Sequence, residues 1–156
     1  MYTSFARVYD RLMGDVDYPR WAAFYQELLE EWGVQRGSQV AECACGTGNL
    51  TIPLSHFYGM TGVDLSEDML QIAIPKARAQ GRNIRFVRQD MRKLTLHKPV
   101  DALLCTCDGF NYLMTSAQAH SFLSSAWAAL KPGGVLALDL STPYKLQQVL
   151  GNNTIT

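Results

Sequence analysis

The chain has 156 residues, of which 47% are hydrophobic and 18% are charged, as in an ordinary globular domain. Its 14 basic and 14 acidic residues balance. The chain therefore lacks the surplus of basic residues that would indicate binding to nucleic acid or to an anionic membrane. No apolar stretch approaches the roughly 20 residues that span a bilayer, and the N-terminus lacks the apolar segment of an export signal. We therefore expect a cytoplasmic protein with a small-molecule partner.

Two helices are predicted at the start of the chain. Residues 2–13 place Phe5 and Tyr9 at helical spacing. A second helix begins near Tyr18, with Asp17 available as its cap, and ends at Gly33. Large aromatic side chains on helical stripes are predicted to belong to the core; they are Trp21, Phe24 and Trp127.

From residue 39 onward, short apolar runs alternate with amphipathic segments. The runs cover residues 40–43, 60–63, 84–87, 100–105 and 135–140, and the helical segments cover 48–57, 66–80 and 115–130. Ser66 and Thr115 are placed to cap the second and third of these helices. This alternation predicts an α/β fold with an open, doubly wound parallel sheet, which binds ligands at the carboxyl ends of its strands.

The loop after the first predicted strand contains Gly46 and Gly48, which let the backbone approach a ligand. Such a pair also occurs in tight turns that bind nothing. Asp64 ends the second strand, where a carboxylate can accept from ribose hydroxyls; the alternative is a helix cap. Asp90 follows the third strand, where it can accept from the adenine amine beside Met91; the alternative is a solvated turn residue.

Electrostatics separate two kinds of nucleotide ligand. A dinucleotide would place its anionic pyrophosphate over the first loop, close to Glu42, and Thr51 stands where its pattern requires a third glycine. S-adenosylmethionine carries a sulfonium and an ammonium instead, and a carboxylate favours both. The residues therefore favour S-adenosylmethionine, provided that Glu42 faces the site.

Four segments together resemble class I S-adenosylmethionine-dependent methyltransferases. They are residues 42–48 (ECACGTG), 62–66 (GVDLS), 89–91 (QDM) and 130–134 (LKPGG). Residues 9–13 (YDRLM) and 108–112 (DGFNY) resemble a bacterial subgroup that methylates small molecules. The resemblance implies a Rossmann-like sheet in the order 3-2-1-4-5 and a transferase that methylates a nitrogen or oxygen nucleophile, with S-adenosylhomocysteine as product.

The resemblance also implies roles for individual residues. Glu42, Gly46 and Gly48 would hold the methionine end of the cofactor, Asp64 the ribose, and Asp90 the adenine edge. The full predicted cofactor set is Tyr9, Glu42, Ala44, Cys45, Gly46, Gly48, Asp64, Leu65, Met69, Asp90, Met91 and Cys107. The substrate candidates are Asp108, Asn111 and Tyr112. Tyr2, like Tyr9, is expected in a lid over the cofactor.

The chain departs from the family pattern in three places. Ala44 replaces the usual first glycine, Glu42 is one methylene longer than the usual acid, and the usual antiparallel sixth and seventh strands are missing. We expect a single methyltransferase-type domain over 1–156, with a helical lid at 1–34, a cofactor-binding core at 38–142 and the start of a truncated C-terminal part at 143–156. An uncovered sheet edge would favour a homodimer.

No residue is assigned a catalytic role from the sequence. Candidates for a general base are Asp108, Tyr112, Tyr9 and Asp10, each more readily explained as structural or cofactor-facing. The histidines (His56, His97 and His120) are predicted to be surface or packing residues away from the strand ends. The cysteines form two Cys-x-Cys pairs, Cys43/Cys45 and Cys105/Cys107, which favour buried thiols over a metal site.

Two other functions remain open at this point. A nicotinamide-dependent oxidoreductase would use the same sheet, although Glu42 and Thr51 argue against it. The second is a non-catalytic fragment that only binds S-adenosylmethionine, which the expected lack of the C-terminal strands makes plausible.

Overall fold

A computed structural model describes residues 3–107 and 109–141, and five parallel strands form its centre. The sheet has the order β3-β2-β1-β4-β5, which confirms the predicted doubly wound topology. The strands are β1 Gln39–Cys43, β2 Gly59–Asp64, β3 Arg85–Arg88, β4 Val100–Cys105 and β5 Leu130–Leu138. Within the described residues, no helix has the length and apolar character needed to cross a membrane.

The helices flank this sheet. They are α1 Thr3–Leu12, α2 Tyr18–Glu31, α3 Thr51–Leu54, α4 Glu67–Ala79 and α5 Ser116–Ala129, with 3₁₀ turns at Met91–Lys93 and Gly109–Tyr112. The three predicted caps are confirmed, since the side chains of Asp17, Ser66 and Thr115 each accept a hydrogen bond from a backbone N–H three residues on.

The two faces of the sheet bury separate apolar clusters. Alternate residues of a strand point to opposite faces, so Val40 joins a cluster with Tyr25 and Leu29 of α2. Ala41 and Cys43 join the other cluster, around Phe122 of α5. The central strands are therefore covered on both sides, as near-continuous apolar runs predict.

Two element boundaries differ from the sequence prediction. The helix after β1 was expected over 48–57 but covers only Thr51–Leu54, because Gly48 takes a φ of +78° and keeps the loop open. The fifth strand was expected at 135–140 but begins at Leu130, which pairs with Val100 across an irregularity in the ladder.

The sequence predicted that the large aromatic residues on the apolar stripes of the helices belong to the core, and this prediction was wrong. Trp21 is 42% exposed, Phe24 53% and Trp127 84%. Helix α2 buries a narrower face formed by Ala22, Tyr25 and Leu29. An apolar residue on a helix is thus buried only if it lies at the centre of the contact face.

The parallel register brings the ends of the strands together. Cys43 at the end of β1 pairs with Val63 of β2 and with Cys105 of β4. The loops after β1, β2 and β4 therefore leave the sheet side by side, at the edge where ligands of such sheets bind.

Candidate functional site

A cavity of about 700 Å³ lies over the carboxyl ends of the strands. Its volume is within the range of small-molecule and cofactor sites. Most residues predicted for cofactor or substrate line it: Tyr9, Glu42, Ala44, Cys45, Gly46, Asp64, Leu65, Met69, Asp90, Met91, Cys107 and Tyr112. The structure thus brings together residues that are far apart in the sequence.

Two predicted site residues are placed differently from their predicted roles, and two further predicted residues cannot be compared. Gly48 lies beneath the loop, where an added Cβ would meet Phe86 at 3.3 Å, so its small size serves packing. Asn111 donates from Nδ2 to Ser141 Oγ over 3.1 Å and is not part of the cavity wall. Asp108 and the predicted lid residue Tyr2 lie outside the described residues.

The loop after β1 is shaped by left-handed backbone conformations. Ala44 and Gly46 both have φ of +55°. A Cβ placed on Gly46 would meet no atom within 4 Å, so the loop presents open space towards the cavity there. Ala44, in the position of the usual glycine, adopts a glycine-like φ despite its methyl group, at a cost of about 1–2 kcal/mol.

Asp64 joins the first two loops. Its Oδ2 accepts from the backbone N–H of Gly46 and its Oδ1 from that of Ser66, both over 2.8 Å. The cap of α4 is Ser66, so Asp64 is not the helix cap. Carboxylate oxygens have further lone pairs, and Asp64 lines the cavity, so it can still accept from a ligand.

Glu42 forms part of the cavity wall while only 3% exposed. Its carboxyl group accepts from the hydroxyls of Thr51 and Thr106, the latter over 3.2 Å. Burial raises the pKa of Glu42 to about 7, helped by the nearby charge of Asp64 and opposed by the two threonine hydrogen bonds. Glu42 therefore faces the site, as the electrostatic argument required, but it exchanges its proton near neutral pH.

Asp90 already has a partner in the protein. It accepts from the backbone N–H of Arg92 over 2.9 Å, and both of its oxygens contact the Arg92 guanidinium, the shortest distance being 2.6 Å. These hydrogen bonds lower the pKa of Asp90. Arg92 lines the cavity, so any group that binds Asp90 must share it with a guanidinium.

Other residues of the wall were missed by sequence analysis, among them Phe5, Tyr18 and Asn49. Asn49 follows directly on the two glycines, and that position could have indicated it. Phe5 and Tyr18 belong to the N-terminal helices, and their place at the cavity follows from tertiary packing alone.

Two of the candidate bases are poorly suited to accept a proton. Burial and the neighbouring Tyr18 hydroxyl raise the pKa of Tyr9, which keeps that phenol protonated. Asp10 accepts hydrogen bonds from three side chains, those of Thr47, Asn49 and Lys76. Although partial burial acts in the opposite direction, hydrogen bonds from these groups lower the pKa of Asp10.

The cysteines are free thiols. Cys43 and Cys105 are register partners in the sheet and are buried, as is Cys45, whereas the expectation of a buried thiol is wrong for Cys107, which is exposed. Burial raises the pKa of Cys105 to about 12 and that of Cys43 as well, which makes both thiols unreactive. In the described part of the chain, no three His, Cys, Asp or Glu side chains are grouped to hold a metal ion. The three histidines are all exposed, as predicted.

Negative charge prevails along the cavity wall. Among the residues that the structure describes, the wall carries two guanidiniums, of Arg88 and Arg92, and both pair with carboxylates of the same wall. The carboxyl groups are those of Glu42, Asp64, Glu67, Asp68 and Asp90. Such a wall attracts a cationic ligand and disfavours a phosphate.

Comparisons with known proteins agree with this geometry. A family model described as a methyltransferase domain matches residues 40–134. A protein of Geobacillus sp. (strain WCH70) that carries a methyltransferase name is 36% identical over 156 residues, which are 99% of this chain and 63% of that protein. The chain thus spans less than two thirds of this relative.

Solved structures show the same fold. An S-adenosylmethionine-dependent methyltransferase from Clostridium acetobutylicum ATCC 824 is 38% identical with a TM-score of 0.83, covering 97% of this chain and 62% of that one. CalS10, an amino pentose methyltransferase from Micromonospora echinaspora solved with S-adenosylmethionine bound, is 25% identical with a TM-score of 0.74, covering 83% and 53%. This chain therefore belongs to the methyltransferase domain family, and its resemblance to the class I S-adenosylmethionine-dependent enzymes is confirmed.

Proposed function

We propose that the chain binds S-adenosylmethionine in the 700 Å³ cavity and belongs to an enzyme that methylates a small-molecule nitrogen or oxygen nucleophile. The observation that carries the proposal is the negatively charged wall above the open backbone at Gly46. A sulfonium and an ammonium suit that wall, whereas the pyrophosphate of a nicotinamide dinucleotide would be repelled by it.

The residues of the wall fit the parts of this cofactor. Asp64 can accept from the ribose hydroxyls while it holds Gly46 and Ser66. Asp90, Met91, Leu65 and Met69 provide one carboxylate and three apolar side chains for the adenine. Glu42, with Ala44, Cys45, Gly46 and Cys107 around it, would face the methionine end, where its negative charge favours the ammonium.

Catalysis in such a site depends mainly on orientation. When bound, S-adenosylmethionine supplies a methyl carbon that its sulfonium activates for in-line displacement. The chain's task is to hold the acceptor in line and to exclude water, and Tyr9 and Phe5 of α1 lie at the cavity for the second purpose. Tyr9 remains protonated, so an acceptor that needs a base must find it elsewhere, for instance at the predicted substrate residue Asp108.

The names of neighbouring proteins support a small acceptor. CalS10 is named as an amino pentose methyltransferase, and a Staphylococcus aureus (strain JH9) relative, 27% identical, is named demethylmenaquinone methyltransferase. Tyr112 is 78% exposed at the cavity and Met114 82% exposed. Apolar side chains at the rim suit an acceptor with an aromatic or aliphatic surface.

Isothermal titration with S-adenosylhomocysteine, and separately with NADH, tests the cofactor assignment. We expect binding of the first and none of the second; the reverse would overturn it. Methyl release from labelled S-adenosylmethionine on a panel of amines, phenols and thiols then tests transfer. Binding without turnover on any acceptor would favour the non-catalytic fragment.

Several sequence expectations stay predictions. They are the cytoplasmic location, the lack of affinity for nucleic acid, the homodimer through the sheet edge and the division into lid, core and C-terminal part. A nucleic-acid binding assay would test the lack of affinity for nucleic acid, and a measurement of molecular size in solution would test the homodimer.

A further inference from the structure

Asp10 is the centre of a hydrogen-bond network that the proposed chemistry does not use. Its Oδ1 accepts from Thr47 Oγ1 over 2.5 Å and from Asn49 Nδ2 over 2.9 Å. Its Oδ2 accepts from Lys76 Nζ over 2.7 Å, and the same Nζ donates to Asn49 Oδ1, also over 2.7 Å. One carboxylate thus connects α1, the loop after β1 and α4.

Two of the three partners of Asp10, Thr47 and Asn49, belong to the loop that lines the proposed cofactor site, and the third, Lys76, lies on α4. Thr47, 1% exposed, and Asn49 lie in the loop with Gly46, and Asn49 lines the cavity. On α1, Phe5 and Tyr9 also line the cavity, and their rings contact edge to face at 5.8 Å between centroids. Asp10 is not itself part of the cavity wall, so it acts on the ligand only through these neighbours.

The charges make this connection stronger than a typical surface contact. Lys76 and Asp10 form an ion pair at 2.7 Å in which the side chains are 24% and 36% exposed. Hydrogen bonds to a charged group are stronger than neutral ones, and the lowered pKa of Asp10 keeps its charge at neutral pH.

We propose that Asp10 is a positioning residue, which fastens α1 to the cofactor loop so that Phe5 and Tyr9 stay over the bound cofactor and slow its release. This inference rests on the proposed function, since the ligand is taken to be S-adenosylmethionine or its product. Local opening of α1 would require Asp10 to give up three hydrogen bonds at once, which makes the open state rare. Loss of the network raises the fraction of molecules in which α1 is open, and the bound cofactor then dissociates faster.

The test is the dissociation rate of S-adenosylhomocysteine from the immobilised chain, measured by surface plasmon resonance. Asp10→Asn keeps the shape of the side chain but removes its charge and presents an amide to Lys76. We expect release to become about tenfold faster, in line with the loss of charged hydrogen bonds. Lys76→Met, which leaves the bonds to Thr47 and Asn49, should accelerate release less, and the double variant should add little to Asp10→Asn because both act on one network.

Asp101→Asn is the matched control. Asp101 also accepts from a lysine and from one further group, but it lies at the opposite end of the sheet. The Asp101→Asn variant should have a lower thermal midpoint, but its rate of ligand release should change by no more than about twofold.

Two results would overturn the positioning role while the proposed function stands. Asp10→Asn could release the ligand at the wild-type rate, or Asp10→Asn and Asp101→Asn could both accelerate release in proportion to their loss of stability. If Asp10→Asn does not fold, an unchanged release rate in Lys76→Met overturns the role. If the wild-type chain binds no S-adenosylhomocysteine, the proposed function fails and the inference with it.

Discussion

The two ends of the sheet use the same kinds of residue in opposite ways. At the amino end, a cavity of about 260 Å³ is lined by Asp101 and Lys131, among others. Asp101 accepts from Lys131 Nζ over 3.0 Å and from the backbone N–H of Gln39 over 2.8 Å. The ammonium of Lys131 therefore neutralises the charge of Asp101. At the carboxyl end, carboxylates outnumber cations among the described wall residues, and no described cation pairs with the buried Glu42.

This difference separates stability from function within one fold. A neutralised carboxylate that holds a strand end in place stabilises the protein. A buried carboxyl group with a raised pKa costs stability unless a ligand cation compensates for it. Within residues 3–107 and 109–141, two non-glycine residues have positive φ, Ala44 and Cys107, and both lie at the carboxyl end. Strain of this kind concentrates at functional sites. The comparison predicts that substitutions at the two ends will affect different measurements.

Asp64→Ala should give the largest effect. It removes the acceptor proposed for the ribose and the hydrogen bonds to Gly46 and Ser66, so the Kd for S-adenosylhomocysteine should rise at least tenfold, as expected for lost bonds to a charged group. Isothermal titration measures the Kd. Asp64→Asn keeps one acceptor oxygen, so its affinity for S-adenosylhomocysteine should fall less than that of Asp64→Ala. An unchanged Kd would remove the ribose role.

Glu42 should make cofactor binding depend on pH. Its pKa is about 7 in the unliganded protein, and a bound ammonium would lower that pKa because it favours the carboxylate. Binding then releases a proton below about pH 7, so affinity should rise with pH up to that point and level off above it, by at most about tenfold per pH unit.

Titrations from about pH 5.5 to pH 8.5 measure this dependence, and Glu42→Gln is the control because it cannot titrate. The variant should show a flatter profile and weaker binding at high pH. Affinity that falls as pH rises towards 7 in the wild-type chain alone would show that the cofactor prefers a neutral Glu42.

Asp101→Asn should affect stability alone. The backbone bond from Gln39 and the ion pair with Lys131 tie the starts of three strands together, and their weakening should cost about 1–2 kcal/mol of unfolding free energy. Urea denaturation measures this loss. If the same variant weakened cofactor binding severalfold, the separation between the two ends of the sheet would be disproved.

Ala44→Gly should have the smallest effect. A glycine at φ +55° relieves the left-handed strain of Ala44 but increases the entropy lost on folding, so the unfolding free energy should rise by no more than about 1 kcal/mol. Thermal unfolding and titration of the same sample check both stability and binding. A loss of more than 1 kcal/mol would mean that the methyl group of Ala44 has a packing role, for example against Gly109, where an added Cβ would lie 2.8 Å from it.

The sequence was sufficient for the topology because its strands are apolar runs separated by clear turns, and glycines and acids after the strands indicated the cavity. Strands buried on both faces carry no alternation that tells which way Glu42 points, so its direction needed the structure. The sequence also does not indicate which distant residues contact each other; Asp10 and Lys76, for example, are 66 positions apart. Burial of Trp21 and Trp127 was overestimated because helical periodicity does not give the width of the contact face.

A crystal structure of the chain with S-adenosylhomocysteine would show whether the cavity is the cofactor site. We expect the adenine beside Asp90 and Met91, the ribose hydroxyls on Asp64, and the ammonium towards Glu42. An empty cavity in those crystals, together with a phosphate-bearing nucleotide bound over Gly46 in a parallel soak, would contradict this expectation.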